Sequence, residues 1–468
     1  MGIAQDFGSF VFSVANLPSV PWGTASYVYR LVGLLHPWRR GSWLLHWADL
    51  IGILLVSLVF GLAPFVSNAL VGVLLFACAC FWVLLLLSGG GDAAGLEGLT
   101  IGPTPIHVLV VLYWGIAAIA TAFSPVKTAA ASGWIKLSLF LAIFALMSRL
   151  LRSSRLRTGL IAVYLHSALV VSVYGVQQWR LGVPPLATWN DPNSTLANVT
   201  RAYSYLGNPN LLAGYLVPAA IFSFAAMFVW RSWATKALAL TMFATNTACL
   251  VFTWSRGGWL GLVAGLFVLF VLLLYWWSIY LPRFWRVWLV PIVLSSLAGF
   301  LVVVVMSVET LRDRVSSIFQ WRGDSSNNFR INVWLAALDM IGDRPIIGIG
   351  PGNAAFKLIY PAYGGARYSA LSAYSIFLEE AVEMGLIGLS CFLWLQLTIF
   401  TQGWLQLNRL RHQTSREGFW LMAAIATLAG MLVHGLVDTI WYRPQVNILG
   451  WLAVALIASY YQPLKIKN

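Results

Sequence analysis

Apolar stretches of roughly 20 residues recur along most of the chain, and that is the length an α-helix needs to cross the hydrocarbon core of a bilayer. Sliding along the sequence, they fall near 47–64, 68–89, 105–123, 130–149, 158–176, 209–229, 234–253, 257–281, 286–306, 376–400, 417–437 and 445–461. Backbone N–H and C=O groups in lipid must be satisfied within the protein, which leaves helices as the economical spanning structure for such segments. The expectation is an all-α polytopic membrane bundle of about 12 transmembrane helices.

Composition agrees: hydrophobic residues make up 60% of the chain and charged residues only 9%. With Lys+Arg at 29 and Asp+Glu at 15, the chain is basic, yet its cations sit mostly in short loops between apolar runs. That pattern reports topology and gives no reason to expect a nucleic-acid partner. Arg30, Arg39 and Arg40, then Arg149, Arg152, Arg155 and Arg157, then Arg231, Lys236, Arg283 and Arg286, and finally Arg409, Arg411, Arg416, Lys465 and Lys467 fall on one side of the alternation. By the positive-inside rule that side is the cytoplasm, which holds both termini of a multi-pass membrane protein. The expected division is a cytoplasmic segment 1–46, spans over 47–306 with an outer loop near 177–208, a large periplasmic loop 307–375, spans over 376–461 and a tail 462–468. The N-terminal residues lack the ordered regions of a cleaved signal peptide. Cys78, Cys80, Cys249 and Cys391 lie scattered in apolar runs and suggest neither a disulfide framework nor a metal site, and no cofactor is implied.

The few outer arginines run against the topological bias and call for another explanation. Arg201 opens RAYSYLGNPN, where Asn208, Pro209 and Asn210 supply a turn and amides just before a span. Arg256 lies in TWSRGGWLG, where Gly257 and Gly258 remove side-chain bulk and let another group approach. A guanidinium at the outer interface offers a planar fork of donors to phosphate, carboxylate or bicarbonate. Arg330, Arg344 and Arg367 of the large loop are candidates to join them in one anion site. In that loop Ile331, Trp334, Leu335, Leu338 and Met340 or Ile341 recur at near-helical spacing, which predicts a helix along the outer membrane surface. Gly348, Gly350 and Gly352 of GIGPGN then predict a turn-rich segment, since no βαβ unit surrounds them. Glu379, Glu380 and Glu383, and His434 four residues before Asp438, are candidates for a proton relay or for ordinary interhelical hydrogen bonds; Lys136 and His166 carry the same ambiguity.

PIHVLVVLYWG, SVYGVQQW, YSYLGNPNLLAGYLVP, SRGGWLG, SSNNFRINVWLA, GIGPGN, LSAYS and HGLVDT together resemble the cyanobacterial inorganic-carbon-transport B (IctB) family, within the O-antigen ligase and polymerase superfamily. The family resemblance implies a membrane protein linked to accumulation or transport of bicarbonate, with membrane lipid and partner membrane proteins around it. The superfamily implies transfer of a glycan from an undecaprenyl-diphosphate carrier at the periplasmic face. In that mechanism arginines bind the diphosphate, as Arg201 and Arg256 would here, and a loop histidine acts as general base. This chain has Tyr374 and Ser375 where the ligases carry a His-Asn pair, and a phenol with a pKa near 10 is a poor base at neutral pH. Of the six histidines, His434 is the one expected to reach the outer face.

Overall fold

Each apolar stretch folds as a helix, with no strand among the described residues. The structure is a computed structural model, and it describes residues 41–88, 104–186, 199–307, 325–364 and 370–463, together with 312, 315 and 316. Arg30, Arg39, Arg40, Arg367, Lys465 and Lys467 lie outside the described residues.

The helices are α1 (Ala48–Leu62), α2 (Asn68–Ser88), α3 (Pro105–Ala122), α4 (Lys127–Leu150), α5 (Ser154–Leu181), α6 (Pro209–Val229), α7 (Trp233–Phe252), α8 (Arg256–Trp277) and α9 (Arg283–Ser307). The large loop contributes α10 (Ser325–Asp343) and α11 (Asn353–Ile359); α12 (Ile376–His412), α13 (Glu417–Gly435) and α14 (Pro444–Ser459) follow. Nine helices among the described residues are long and apolar enough to cross a membrane, and α1 and α14 are shorter apolar helices. The protein is thus a polytopic helical membrane bundle. Exposed Leu54, Val73, Phe76, Val111 and Val263 present the apolar outer surface such a bundle needs.

α8 and α13 form the tightest crossing. Gly257, Gly261 and Gly265 recur at four-residue spacing along α8, and Gly430 answers them on α13. A Cβ on Gly261 would stand 2.8 Å from the Gly430 carbonyl oxygen, and one on Gly430 would stand 2.6 Å from the Gly261 carbonyl oxygen. Small residues let two backbones meet where lipid offers no hydrophobic incentive for larger side chains to associate. α6 packs against both helices and is buried nearly all round.

α12 is broken rather than continuous. Gly385 has φ 68 and ψ −172, which interrupts the helical ladder. The loop ahead of α11 repairs it: Ile349 and Gly350 N–H groups donate to the Val382 and Glu383 carbonyls at 2.9 and 2.8 Å, and Leu386 N–H donates to the Pro345 carbonyl at 2.7 Å. Gly348, Gly350 and Gly352 all have positive φ, so GIGPGN is a turn segment, as expected, and it docks on the break. No room exists there for side chains: Gly133 of α4 lies against Pro351 and Gly352.

α10 forms where the apolar spacing predicts it. Val333, Ala336, Ala337 and Met340 enter a cluster with Phe356, Tyr360 and Val382, whereas Leu335 and Leu338 are exposed. Small side chains won the packed face because α10 sits closely on α12.

Candidate anion site at the helix ends

α6 and α8 begin with side-chain caps. Asn208 Oδ1 accepts from the N–H groups of Asn210 (2.8 Å) and Leu211 (3.4 Å), and Ser255 Oγ accepts from Gly258 N–H at 3.2 Å. These bonds relieve orphan N–H groups at both helix starts. They also assign Asn208 a capping role, while Asn210 does something else: its Oδ1 accepts from Arg201 Nη2 at 3.3 Å. Arg201 Nε donates to the Thr253 carbonyl at 2.9 Å. The guanidinium is thereby fixed between the segment before α6 and the segment before α8.

Arg256 is the first residue of α8 and is buried. It lines a cavity of about 130 Å³ with Asn327, Arg330, Ile331, Trp334 and Val437. Arg330 comes from α10; it donates to Ser326 Oγ at 3.0 Å and pairs with Asp438 Oδ2 at 3.4 Å. Burial, and then the charges of Arg330 and Arg256, pull the Arg201 guanidinium down to about 10, with Asp438 offsetting part of the effect. Three arginines far apart in sequence therefore share one electrostatic neighbourhood.

Tyr374 packs edge-on against Phe329, with ring centroids 5.4 Å apart, and its carbonyl accepts from Trp334 Nε1 at 3.4 Å. Its φ is 50, a left-handed conformation that a bulky residue adopts only when its surroundings impose it. Trp254, two residues before Arg256, is held similarly at φ 54. Burial, then the nearby Asp438, pushes the Tyr374 phenol up to about 12. Asp438 is itself raised above the usual carboxylate range, burial outweighing the opposing pull of Arg330.

The remaining candidates are distributed differently from the sequence expectation. Arg344 is exposed at the far end of α10 from Arg330. Fourteen residues at a rise of about 1.5 Å put the two roughly 20 Å apart along the helix, so Arg344 stands away from the cluster. His434 and Asp438 do not share a helix face, because α13 ends at Gly435. His434 is fully buried against α8, where a Cβ on Gly257 would stand 2.7 Å from its Cδ2, and neither ring nitrogen has a hydrogen-bond partner. The glycine pair after Arg256 thus admits two neighbours, His434 against Gly257 and Ala213 of α6 against Gly258. Glu379 lines a separate cavity with Glu380, Glu383 and Lys136. His166 Nδ1 bonds its own helix at the Ala162 carbonyl, 2.7 Å away. Among the described residues no group of His, Cys, Asp and Glu is placed to hold a metal ion.

Arg256 and Arg330 thus line one cavity, and Arg201 lies near enough for their charges to act on it. Residues 237–393 match the O-antigen ligase family. No curated protein matches the chain. The O-antigen ligase segment runs from α7 into α12 and carries Arg256, Arg330, Tyr374 and Glu379; Arg201 and Asp438 lie outside it and are brought to it by the fold. The match supports the superfamily expected from the sequence and the lipid or lipid-linked glycan partners that go with it. It adds nothing specific to the inorganic-carbon branch.

Sequence reasoning missed Asn327, Trp334 as a cavity wall, and the packing of His434 on Gly257. The four-residue glycine spacing of α8 was the available signal for the last; the others share a cavity with Arg256, more than seventy residues away, and that left no local mark.

Proposed function

We propose that the protein transfers a glycan from a polyprenyl-diphosphate carrier to an acceptor hydroxyl at the outer face of a bacterial inner membrane. The observation that carries this reading is the convergence of Arg201, Arg256 and Arg330 on one neighbourhood, with two of them lining a single cavity. A diphosphate suits three guanidiniums because its charge answers theirs and its oxygens accept bidentate donation. The alternation of basic loops supports cytoplasmic termini and a periplasmic cavity.

In the reaction, the acceptor oxygen bonds to the anomeric carbon while the bond from that carbon to the diphosphate breaks. The diphosphate leaves with the electron pair, its growing charge stabilised by the arginines. The acceptor proton needs a base. Tyr374 holds its own proton up to about 12 and is no base at neutral pH, whereas Asp438, raised by burial and placed against Arg330, is suited to accept it. Bicarbonate would fit the same arginines, but no observation beyond them favours transport.

The test is binding of fluorescent undecaprenyl diphosphate to purified protein in lipid nanodiscs. Arg201→Ala and Arg256→Ala should each weaken it tenfold or more, about 1.4 kcal/mol. Unchanged binding in both variants overturns the proposal. So does gradient-driven uptake of labelled bicarbonate into sealed liposomes that Arg201→Ala abolishes.

A further inference from the structure

The second cavity, of about 150 Å³, is walled by α3, α4, α12, α14 and the segment between α13 and α14. Its lining changes along its length. Near the N-terminal ends of α12 and α14 it presents Glu379, Glu383 and Asn447, with Lys136 reaching it from the middle of α4; farther along α12 and α14 it presents Leu395, Ile399 and Val454, and one turn beyond Lys136 it presents Phe140. Tyr113 O–H donates to both oxygens of Glu380, at 2.9 and 2.8 Å, which fixes one carboxyl as part of the wall.

Gln396 is the observation that points to an occupant. It is 8% exposed, it lines the cavity among Phe392, Leu395 and Ile399, and its Oε1 has no hydrogen-bond partner. A buried amide oxygen without a donor carries its full desolvation penalty, and such groups are uncommon in native interiors. The indole N–H of Trp441, another lining residue, is also without a partner. A ligand with hydroxyls satisfies both, because each hydroxyl donates and accepts.

The charge of the lining narrows the class. Three buried carboxyls and one ammonium offer a phosphate no guanidinium fork, while hydroxyl groups would find hydrogen-bond partners in the glutamates and a flat apolar face on the tryptophans. The apolar end fits a hydrocarbon chain. Position adds the rest: Val437 lines the arginine cavity and Asp438 pairs with Arg330, while Thr439, Trp441 and Tyr442 line the second cavity. One short segment is the partition between the two.

We infer that the Glu379–Gln396 cavity binds the polyhydroxylated head and apolar chain of an uncharged amphiphile, the acceptor that meets the diphosphate-linked donor across the 437–442 partition. Its role as acceptor rests on the proposed transfer reaction; its binding does not.

The probe is an alkyl glucoside carrying a photoreactive diazirine in its chain, presented to the protein in nanodiscs, with labelled peptides mapped by mass spectrometry. Labels should fall on α4, α12 and α14 and compete with unlabelled alkyl glucoside. Gln396→Leu and Glu379→Gln should each lower competed labelling at least tenfold, while Gly72→Ala, on α2 away from both cavities, leaves it intact. Thermal unfolding checks each variant, and Trp441→Ala replaces any that fails to fold. Equal labelling in the folded variants and wild type, or labels spread over lipid-facing helices, overturns the inference. Binding of undecaprenyl diphosphate to the same samples separates the two claims: donor binding without competed labelling refutes the cavity alone, and labelling without donor binding refutes the transferase reading alone.

Discussion

Arg201→Gln should be nearly neutral for stability and severe for anion binding, which is unusual for a fixed arginine. The guanidinium releases its proton at about 10, two to three decades below the ordinary range, because of burial and then of Arg330 and Arg256. At ~1.4 kcal/mol per decade the ceiling on the cost of holding that charge is ~3 kcal/mol, and solvent on its open side reduces it to ~1.5–2 kcal/mol. The cost is present in full at any pH well below about 10 and is relieved only as pH rises through about 10 toward the unfolded value. Against it stand the bonds to Thr253 and Asn210, ~1–1.5 kcal/mol each, of which glutamine can keep one. The difference is within ~1 kcal/mol of zero. The assay is thermal unfolding of detergent-solubilised protein at pH 7, with and without inorganic pyrophosphate. Wild type should be stabilised by ~2.7 kcal/mol at a hundredfold excess over the dissociation constant. Arg201→Gln should unfold near the wild-type temperature and lose most of the shift. A loss of ~3 kcal/mol without ligand, or a wild type indifferent to pyrophosphate, refutes the account of an electrostatically strained anion site.

Gly350→Ala should cost more than ~2 kcal/mol, because φ is 98 and the new Cβ would stand 2.5 Å from Ala130 Cβ; Gly72→Ala, with nothing within 4 Å, should be neutral or stabilising in the same unfolding measurement. Asp438→Asn should lower the transfer rate by ~10²–10⁴, whereas Tyr374→Phe should leave it within about one order of magnitude, since the phenol keeps its proton at neutral pH; the reverse ranking in a lipid-linked glycan transfer assay would reassign the base. Glu417→Gln should destabilise the fold by ~3 kcal/mol, because Glu417 pairs with buried Arg157 and accepts from Ser154 and Tyr460, and an unchanged unfolding midpoint would show the pair to be dispensable.

The site was legible in proportion to how local its signals are. Arg201 and Arg256 stood out because each sits at the start of an apolar run on the side that disfavours cations. Arg330 was named as a partner, but its pairing with Asp438 spans 108 residues and could only be seen in the fold. Arg344 looked equivalent to Arg330 in sequence and is not, because the length of α10 separates them. The helix of α10 was legible from its apolar spacing, but its packed side was not: Val333, Ala336, Ala337 and Met340 join the cluster with Val382, while Leu335 and Leu338 are exposed.

The chain alone determined the helices, their order and the positions of the arginines. Backbone groups in lipid must be satisfied within a segment, so segment length and apolarity suffice to specify a spanning helix. Tertiary structure decided which arginines meet, which carboxyl faces them and where the two cavities lie. Those outcomes depend on helix crossings such as Gly261 on Gly430, and on the docking of GIGPGN into the break at Gly385. Contacts of that kind join residues whose separation in the chain carries no periodicity, so only packing could select them.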